Sequence, residues 1–313
     1  MTRTLALWAL VLMKPDGFQV TDDAGKALDF VQGGKTVARY MYAFDAQRLP
    51  ETYKPYLHVF DPEGQAPITK GPGGLFPHHR GIFIGWNKIT VDGKNYDRWH
   101  MTGGQQVHQK FLGQTADLDH AEATSLVHWN GEAGTPIVQE ERRFTVRRAP
   151  APFYAMIDVR STLKAPVGDV ELGGDPEHAG VHFRPANELD TTKTLYVFPR
   201  ENANAHKDTD TPWVGLTYTL DGKSYSVVEM SARTNPKGAR WSAYRDYGRF
   251  GEFFTAKIRS GESLTISHRF AVAQGEMPPA ETIQRIYNEF TQTADPAPRI
   301  SVVPAERSAP AKK

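Results

Sequence analysis

The chain contains no cysteine. That absence excludes disulfides, thiolate metal centres and cysteine nucleophiles, so any metal would have to be held by His, Asp, Glu or water. It also lacks a surplus of either charge: 37 basic against 36 acidic side chains leave a net +1. With no basic excess to neutralise a phosphate backbone, no nucleic-acid partner is expected. No apolar run approaches the roughly 20 residues that cross a bilayer as a helix. The short apolar stretch Thr2–Met13 carries one Arg at its start. It reads as the remnant of a secretory signal peptide over residues 1–17, with a buried first strand as the alternative.

What is present is β text. Short apolar-alternating runs recur between turn residues such as Asp61-Pro-Glu-Gly64, Gly131-Glu-Ala-Gly134 and Gly173-Gly174. Thr90-Val-Asp-Gly-Lys-Asn-Tyr96 and Thr219-Leu-Asp-Gly-Lys-Ser-Tyr225 each set Asp-Gly between β-formers. Both central residues of a type I′ turn need positive φ, so these are hairpins. Further strands are expected at Val138–Val146, Phe153–Leu163, Thr194–Phe198, Tyr225–Met230 and Leu264–Val272. Turns this frequent imply an all-β fold, an antiparallel β-sandwich. One helix, 280–290, is expected near the C-terminus: Ile283, Ile286, Tyr287 and Phe290 repeat at i, i+3, i+4 and i+7 behind Pro278-Pro279. No linker interrupts 18–274, the stretch 18–290 reads as one domain, and 291–313 reads as a flexible tail, disordered or loosely docked.

Four stretches carry residues suited to chemistry. Gly71–Lys110 holds four of the eleven histidines and includes Pro77-His78-His79-Arg80-Gly81. If a strand starts there, His78 and Arg80 share a face and His79 takes the other. Arg offers a fork of donors and His exchanges a proton near neutral pH, a pair suited to an anionic or polyhydroxylated ligand. The same region adds Trp99, His100, Gln106 and His108, with Trp99 a candidate stacking face. In Gly174–Ala186, His178, His182 and Arg184 form a second set, with Glu177 as the expected carboxylate partner. Trp241–Phe254 crowds Tyr244, Arg245, Asp246, Tyr247 and Arg249 at a turn. The bland reading of each is a satisfied core histidine or a solvated charge. It is preferred for most of Glu140-Glu141-Arg142-Arg143, which lie on a strand where only alternate members share a face and read as solvated cross-strand charge.

These motifs, GPGGLFPHHRGIFIGW, Trp-His, Gly-Gln-Gln-Val-His, GDPEHAGVHFRPA and YRDYGRFGEFF, resemble the PmoA-like family of bacterial proteins from about Tyr56 to Phe270. Many relatives carry an acidic residue shortly before the His-His pair, where Leu75-Phe76 stand here. The family name points to a methane oxygenase subunit, which would lie in the membrane, whereas this sequence shows no apolar run long enough for a spanning helix. The resemblance implies exported, periplasmic or secreted, proteins of polysaccharide-degrading bacteria, with a fold similar to the galactose-mutarotase-like supersandwich.

Three functions follow for testing. The first is a carbohydrate-active hydrolase, lyase or epimerase using His78, His79 or His178 for proton transfer. Arg80, Trp99, His100, Gln106, His108, Glu177, His182, Arg184 and Tyr247 would bind a small-molecule or oligosaccharide ligand. The general acid or base would be His79 or His178, with Arg80 or Arg184 stabilising developing negative charge. The second is a sugar-binding module without catalysis. The third is a His-ligated metalloenzyme. No cofactor is required by the sequence, and a divalent metal is left open: on a straight strand His178 and His182 would stand roughly 13 Å apart. The first reading requires both histidine sets on one concave surface, with His58, His120, His128, His206 and His268 outside it.

Overall fold

The computed structural model describes residues 16–307. Every named strand pair among them is antiparallel, and the strands form sheets of eight, nine and four strands. The fold is the expected all-β sandwich. Both Asp-Gly hairpins form, with positive φ at Asp92 and Gly93 and at Asp221 and Gly222. The five further strands all form, at Pro136–Arg147, Phe153–Lys164, Leu195–Phe198, Lys223–Ser231 and Ser263–Gln274.

Alternation along each strand decides what each face of the eight-stranded sheet meets. In Ile82–Trp86, residues Ile82, Ile84 and Trp86 enter the main core between the sheets, as do Val181 and Phe183 of the neighbouring strand Ala179–Phe183. The intervening Phe83 and His182 are register partners and point to the other face. That outer face is not left to water. Loops fold over it, and Phe83 is buried there with Tyr56 and Trp99 in a separate cluster. Both faces are therefore covered, which is why Gly81-Ile-Phe-Ile-Gly-Trp86 is apolar without interruption.

The nine-stranded sheet carries the helix Ala280–Thr291 on its own outer face, where Ile283, Ile286 and Tyr287 pack on Trp213, Val228 and Met230. Phe290 lies partly buried against them. A second, single-turn helix at Leu49–Thr52 was not expected.

Two expectations need correction. Residues 301–304 do not lie in a loose tail: Ser301–Pro304 pairs with Leu195–Phe198 at the edge of the nine-stranded sheet. Open edge hydrogen bonds give such a segment a partner that composition does not reveal. Glu140 and Arg142 are not surface charge. They are fully buried, 2.6 Å apart, and Glu140 also accepts from Trp129 and Ser161. Only the alternate members, Glu141 and Arg143, face outward. The signal-peptide reading of 1–17 falls almost wholly on residues outside those described.

Candidate functional site

The loops that cover the outer face of the eight-stranded sheet bring together four imidazoles from three stretches of the chain. His78 and His79 lie 4.3 Å apart by ring centroid, His78 and His100 4.4 Å, and His100 and His178 5.2 Å. Trp99 stands behind them, 5.6 Å from His79, 6.4 Å from His178 and 4.7 Å from His182. Tyr247 closes one side against Phe76 and His79.

Two turns of the same form present His100 and His178. In Asp97-Arg-Trp-His100 the carboxylate accepts from the backbone N–H of Trp99 and of His100, both at 2.8 Å, and its second oxygen lies 2.7 Å from His100 Nδ1. In Asp175-Pro-Glu-His178 the carboxylate accepts from the Glu177 N–H at 3.0 Å and lies 2.8 Å from His178 Nδ1. A carboxylate accepts only, so in the neutral form of either ring the proton sits on Nδ1 and the lone pair on Nε2. Burial pushes both carboxyls up. The hydrogen bonds from the histidines and the backbone outweigh it and hold Asp97 and Asp175 below the usual range.

The end of strand Ile82–Trp86 suspends both turns. Arg98 N–H donates to Trp86 O at 2.8 Å, and Asn87 N–H donates to His178 O at 2.9 Å. A Cβ on Gly85 would collide with the Arg98 carbonyl, so glycine is what lets the first turn lie on the strand. Gly251 does the same beside His182, where a Cβ would meet the imidazole and the Val181 carbonyl.

Beneath the three half-buried imidazoles the site is charged. His182 Nε2 donates to Ala179 O at 2.7 Å, so its Nδ1 accepts from Arg249, 3.1 Å away. Burial, then Arg249, holds His182 well below its ordinary value, and so neutral. Burial likewise drives His78 down to about 2, helped by Lys54, His100, His178 and Arg249. His79 is buried and pushed well down, and neither of its ring nitrogens has a hydrogen-bond partner among the described residues. Lys54 Nζ donates to Trp99 O at 2.7 Å and lies 4.7 Å over the Phe83 ring. Glu177 accepts from Tyr244 at 2.8 Å and from Arg245, and it stays ionised: burial raises it less than these bonds lower it.

Of the residues expected at the site, the structure brings together His78, His79, Trp99, His100, Glu177, His178, His182 and Tyr247, with Arg184 behind the Tyr247 ring. It moves others away. Arg80 precedes the strand, which starts only at Ile82. Its guanidinium is spent on the carbonyls of Pro50, Glu51 and Pro77 and on the Tyr53 ring, so the shared His78–Arg80 face does not exist. His108 packs among Tyr40, Tyr42 and Phe111. Gln106 is interior, donating to Ile84 O and accepting from Arg142. Arg184 donates to the carbonyls of Tyr247 and Pro185 and to Asn187, which makes it a clamp on the 244–249 loop. Trp99 is fully buried and cannot offer an open stacking face. The carboxylate partner of His178 is Asp175, not Glu177. His178 lies in the turn before the strand, so it and His182 meet the same Trp99 ring instead of standing a strand's length apart. His58, His120, His128, His206 and His268 make no ring contact with the cluster.

Sequence reasoning missed Asp97, Asp175 and Lys54. The repeated Asp-x-x-His spacing could have flagged the first two, but nothing local marks Lys54. It also missed the brace on the 244–249 loop from the chain's end, where Glu306 N–H donates to Tyr244 O at 2.7 Å and Asp246 N–H to Glu306 O. Among the described residues, no three His, Asp or Glu side chains are grouped as an ion would require.

Fold and site together define an all-β sandwich protein with a cluster of imidazoles over one sheet face. The chain belongs to DUF6807, a family of unknown function whose model matches residues 27–288. No curated protein matches it. Among solved structures it is similar to a heparan sulfate lyase HepC mutant from Pedobacter heparinus, at 10% identity and TM-score 0.44 over 84% of this chain and 37% of that one. Heparinase III matches at 10% and 0.36 over 80% and 35%. A β-arabinopyranosidase matches at 10% and 0.31 over 82% and 38%. The chain thus spans less than two-fifths of each of these proteins, and nothing about its site is taken from them.

Proposed function

We propose that this protein acts on a sugar or glycoside by histidine-assisted proton transfer, as a hydrolase, lyase or epimerase. The observation that carries the reading is the pair of Asp–His turns, whose rings lie 5.2 Å apart. Each aspartate fixes its ring with Nδ1 protonated, leaving Nε2 to take a proton from substrate as a general base. Two such rings side by side let one accept a proton while the other, once protonated, donates. His78, held neutral by burial, adds a hydrogen-bonding group that does not charge near neutral pH. Arg249, fully buried behind His182, takes the charge-stabilising part first assigned to Arg80 or Arg184.

The test is a screen of neutral, acidic and oxidised oligosaccharides against the wild type, His178→Ala and His120→Ala, with product detection by mass spectrometry. Turnover by the wild type and His120→Ala, with loss in His178→Ala, supports proton transfer. Equal turnover by all three removes these imidazoles from the chemistry. Sugar binding without turnover in any of them puts the non-catalytic binding module first.

A further inference from the structure

Resting on the sugar reading above, we infer that this protein takes an oligosaccharide, with a neutral glycosyl residue seated on Phe44 in a cavity beside the imidazole cluster. The cavity measures about 670 Å³, within the range of small-molecule sites. It opens between the end of strand Lys35–Met41, the single-turn helix Leu49–Thr52 and the loop at Pro72-Gly73. It shares two walls with the cluster. Lys54 lines it and donates to the Trp99 carbonyl at 2.7 Å, and the Trp99 ring lies 5.6 Å from His79. Pro72 and Gly73 belong to the loop that presents His78 and His79. The cavity is therefore where the next unit of a chain held at the imidazoles would fall.

The lining suits a sugar ring better than an ion or a purely apolar group. Phe44 is 41% exposed, and it offers the open aromatic face that buried Trp99 lacks. Such a face accepts the C–H side of a pyranose. Across the cavity Arg48 and Glu51 pair through a single carboxylate oxygen: Arg48 Nε and Nη2 both donate to Glu51 Oε2. Arg48 Nη1 and Glu51 Oε1 form no hydrogen bond among the described residues, so an open donor and an open acceptor stand together. A hydroxyl both donates and accepts, so neighbouring hydroxyls of one ring can meet the two. A carboxylate would face Glu51 and an ammonium would face Arg48, like charge against like. Neutral hydroxyls meet neither penalty.

The experiment titrates xylose, glucose and galactose, and the β-1,4-linked di- and tetrasaccharide of each, into the full chain, followed by NMR. In at least one series the tetrasaccharide is expected to bind about tenfold more tightly than the monosaccharide, the scale of a ring-face contact with its hydrogen bonds. Phe44→Ala should bring that ratio to about one and leave the monosaccharide's affinity unchanged, and Arg48→Met should lower the ratio part of the way. Leu118→Ala removes a comparably exposed apolar side chain at the rim of the other sheet and should change neither value. Thermal unfolding checks that the variants are folded, and if Phe44→Ala is not, Arg48→Met decides. Affinity independent of length in every series, or a gain with length that Phe44→Ala leaves intact, would overturn this inference and leave the sugar reading standing. An equal loss for monosaccharide and tetrasaccharide in Phe44→Ala would also overturn it, by making the cavity a site of its own. Binding by none of the nine would remove the sugar reading and this inference with it.

Discussion

Three turns in this chain have the form Asp-x-x-His, and comparing them separates local geometry from a site. At Asp117-Leu-Asp-His120, as at Asp97 and Asp175, the carboxylate accepts backbone N–H groups, from Asp119 at 2.8 Å and His120 at 2.9 Å, and lies 3.2 Å from the fourth residue's Nδ1. The motif is therefore a turn that any such spacing makes. Asp117 and His120 join two strands at the rim of the nine-stranded sheet, and His120 meets no other ring. The turns at 97 and 175 both hang from the end of strand Ile82–Trp86 in the other sheet and bring their imidazoles together over Trp99. The proton transfer proposed above would use a second imidazole and the buried cations beneath, and of the three turns only those two have them.

The largest effect that would separate the turns is on turnover. His178→Ala and His100→Ala should each lower kcat by about 10²- to 10⁴-fold if the ring moves a proton, while His120→Ala leaves it unchanged. Steady-state assays on a substrate found by the screen measure this, and equal losses at all three positions would break the comparison. Next come the aspartates. Asp175→Asn and Asp97→Asn keep shape but release the Nδ1 proton, for an expected loss of roughly 10- to 100-fold, as when a carboxylate orienting a histidine is removed. Asp117→Asn should leave kcat within error.

The site also has a pH signature. The folded state keeps the His78 ring neutral down to about 2, whereas the unfolded chain takes up that proton near its ordinary pKa of about 6.5. Below that pH the unfolded state binds more protons, so stability falls as pH falls. Denaturant unfolding between pH 7 and 4 should show this. The slope should be flatter in His78→Gln, by at most about 1.4 kcal/mol per pH unit. A slope unchanged by the substitution would mean that the ring protonates in the fold. The smallest effect concerns the suspension of the first turn. Gly85→Ala forces a methyl into the Arg98 carbonyl and should cost about 1–3 kcal/mol. Gly113→Ala, in the strand that leads toward Asp117, meets open space and should lie within about 0.5 kcal/mol of wild type. Chemical denaturation of both variants tests this.

Much of the fold was legible because its signals are local. Asp-Gly dictates positive φ wherever it falls, alternation places Ile82, Ile84 and Trp86 on one face, and the 3.6 period of Ile283, Ile286 and Tyr287 marks the helix. The site was legible only in part. His78, His100 and His178 could be picked out as titratable residues beside glycine-rich turns, and they do meet. Arg80 and His108 have the same chemistry and the same neighbourhood in the chain, yet point elsewhere. Whether a polar side chain faces a cleft or a set of backbone carbonyls depends on where the strand starts, and no residue type announces that.

By itself, the sequence determined the all-β class, the hairpins, the helix and the set of histidines from which a site could be made, because each rests on backbone preferences and periodicities within a few residues. Only the tertiary structure decided that Asp97 and Asp175 orient two of those histidines toward one point. It also decided that Lys54, Arg249 and the strand 301–304 contribute to the site or brace it, and that Trp99 is buried beneath it. Those relations link segments up to just over a hundred residues apart. They are created when loops cover the outer face of the eight-stranded sheet, and burial there is what gives a cation or an unpaired N–H its energetic weight.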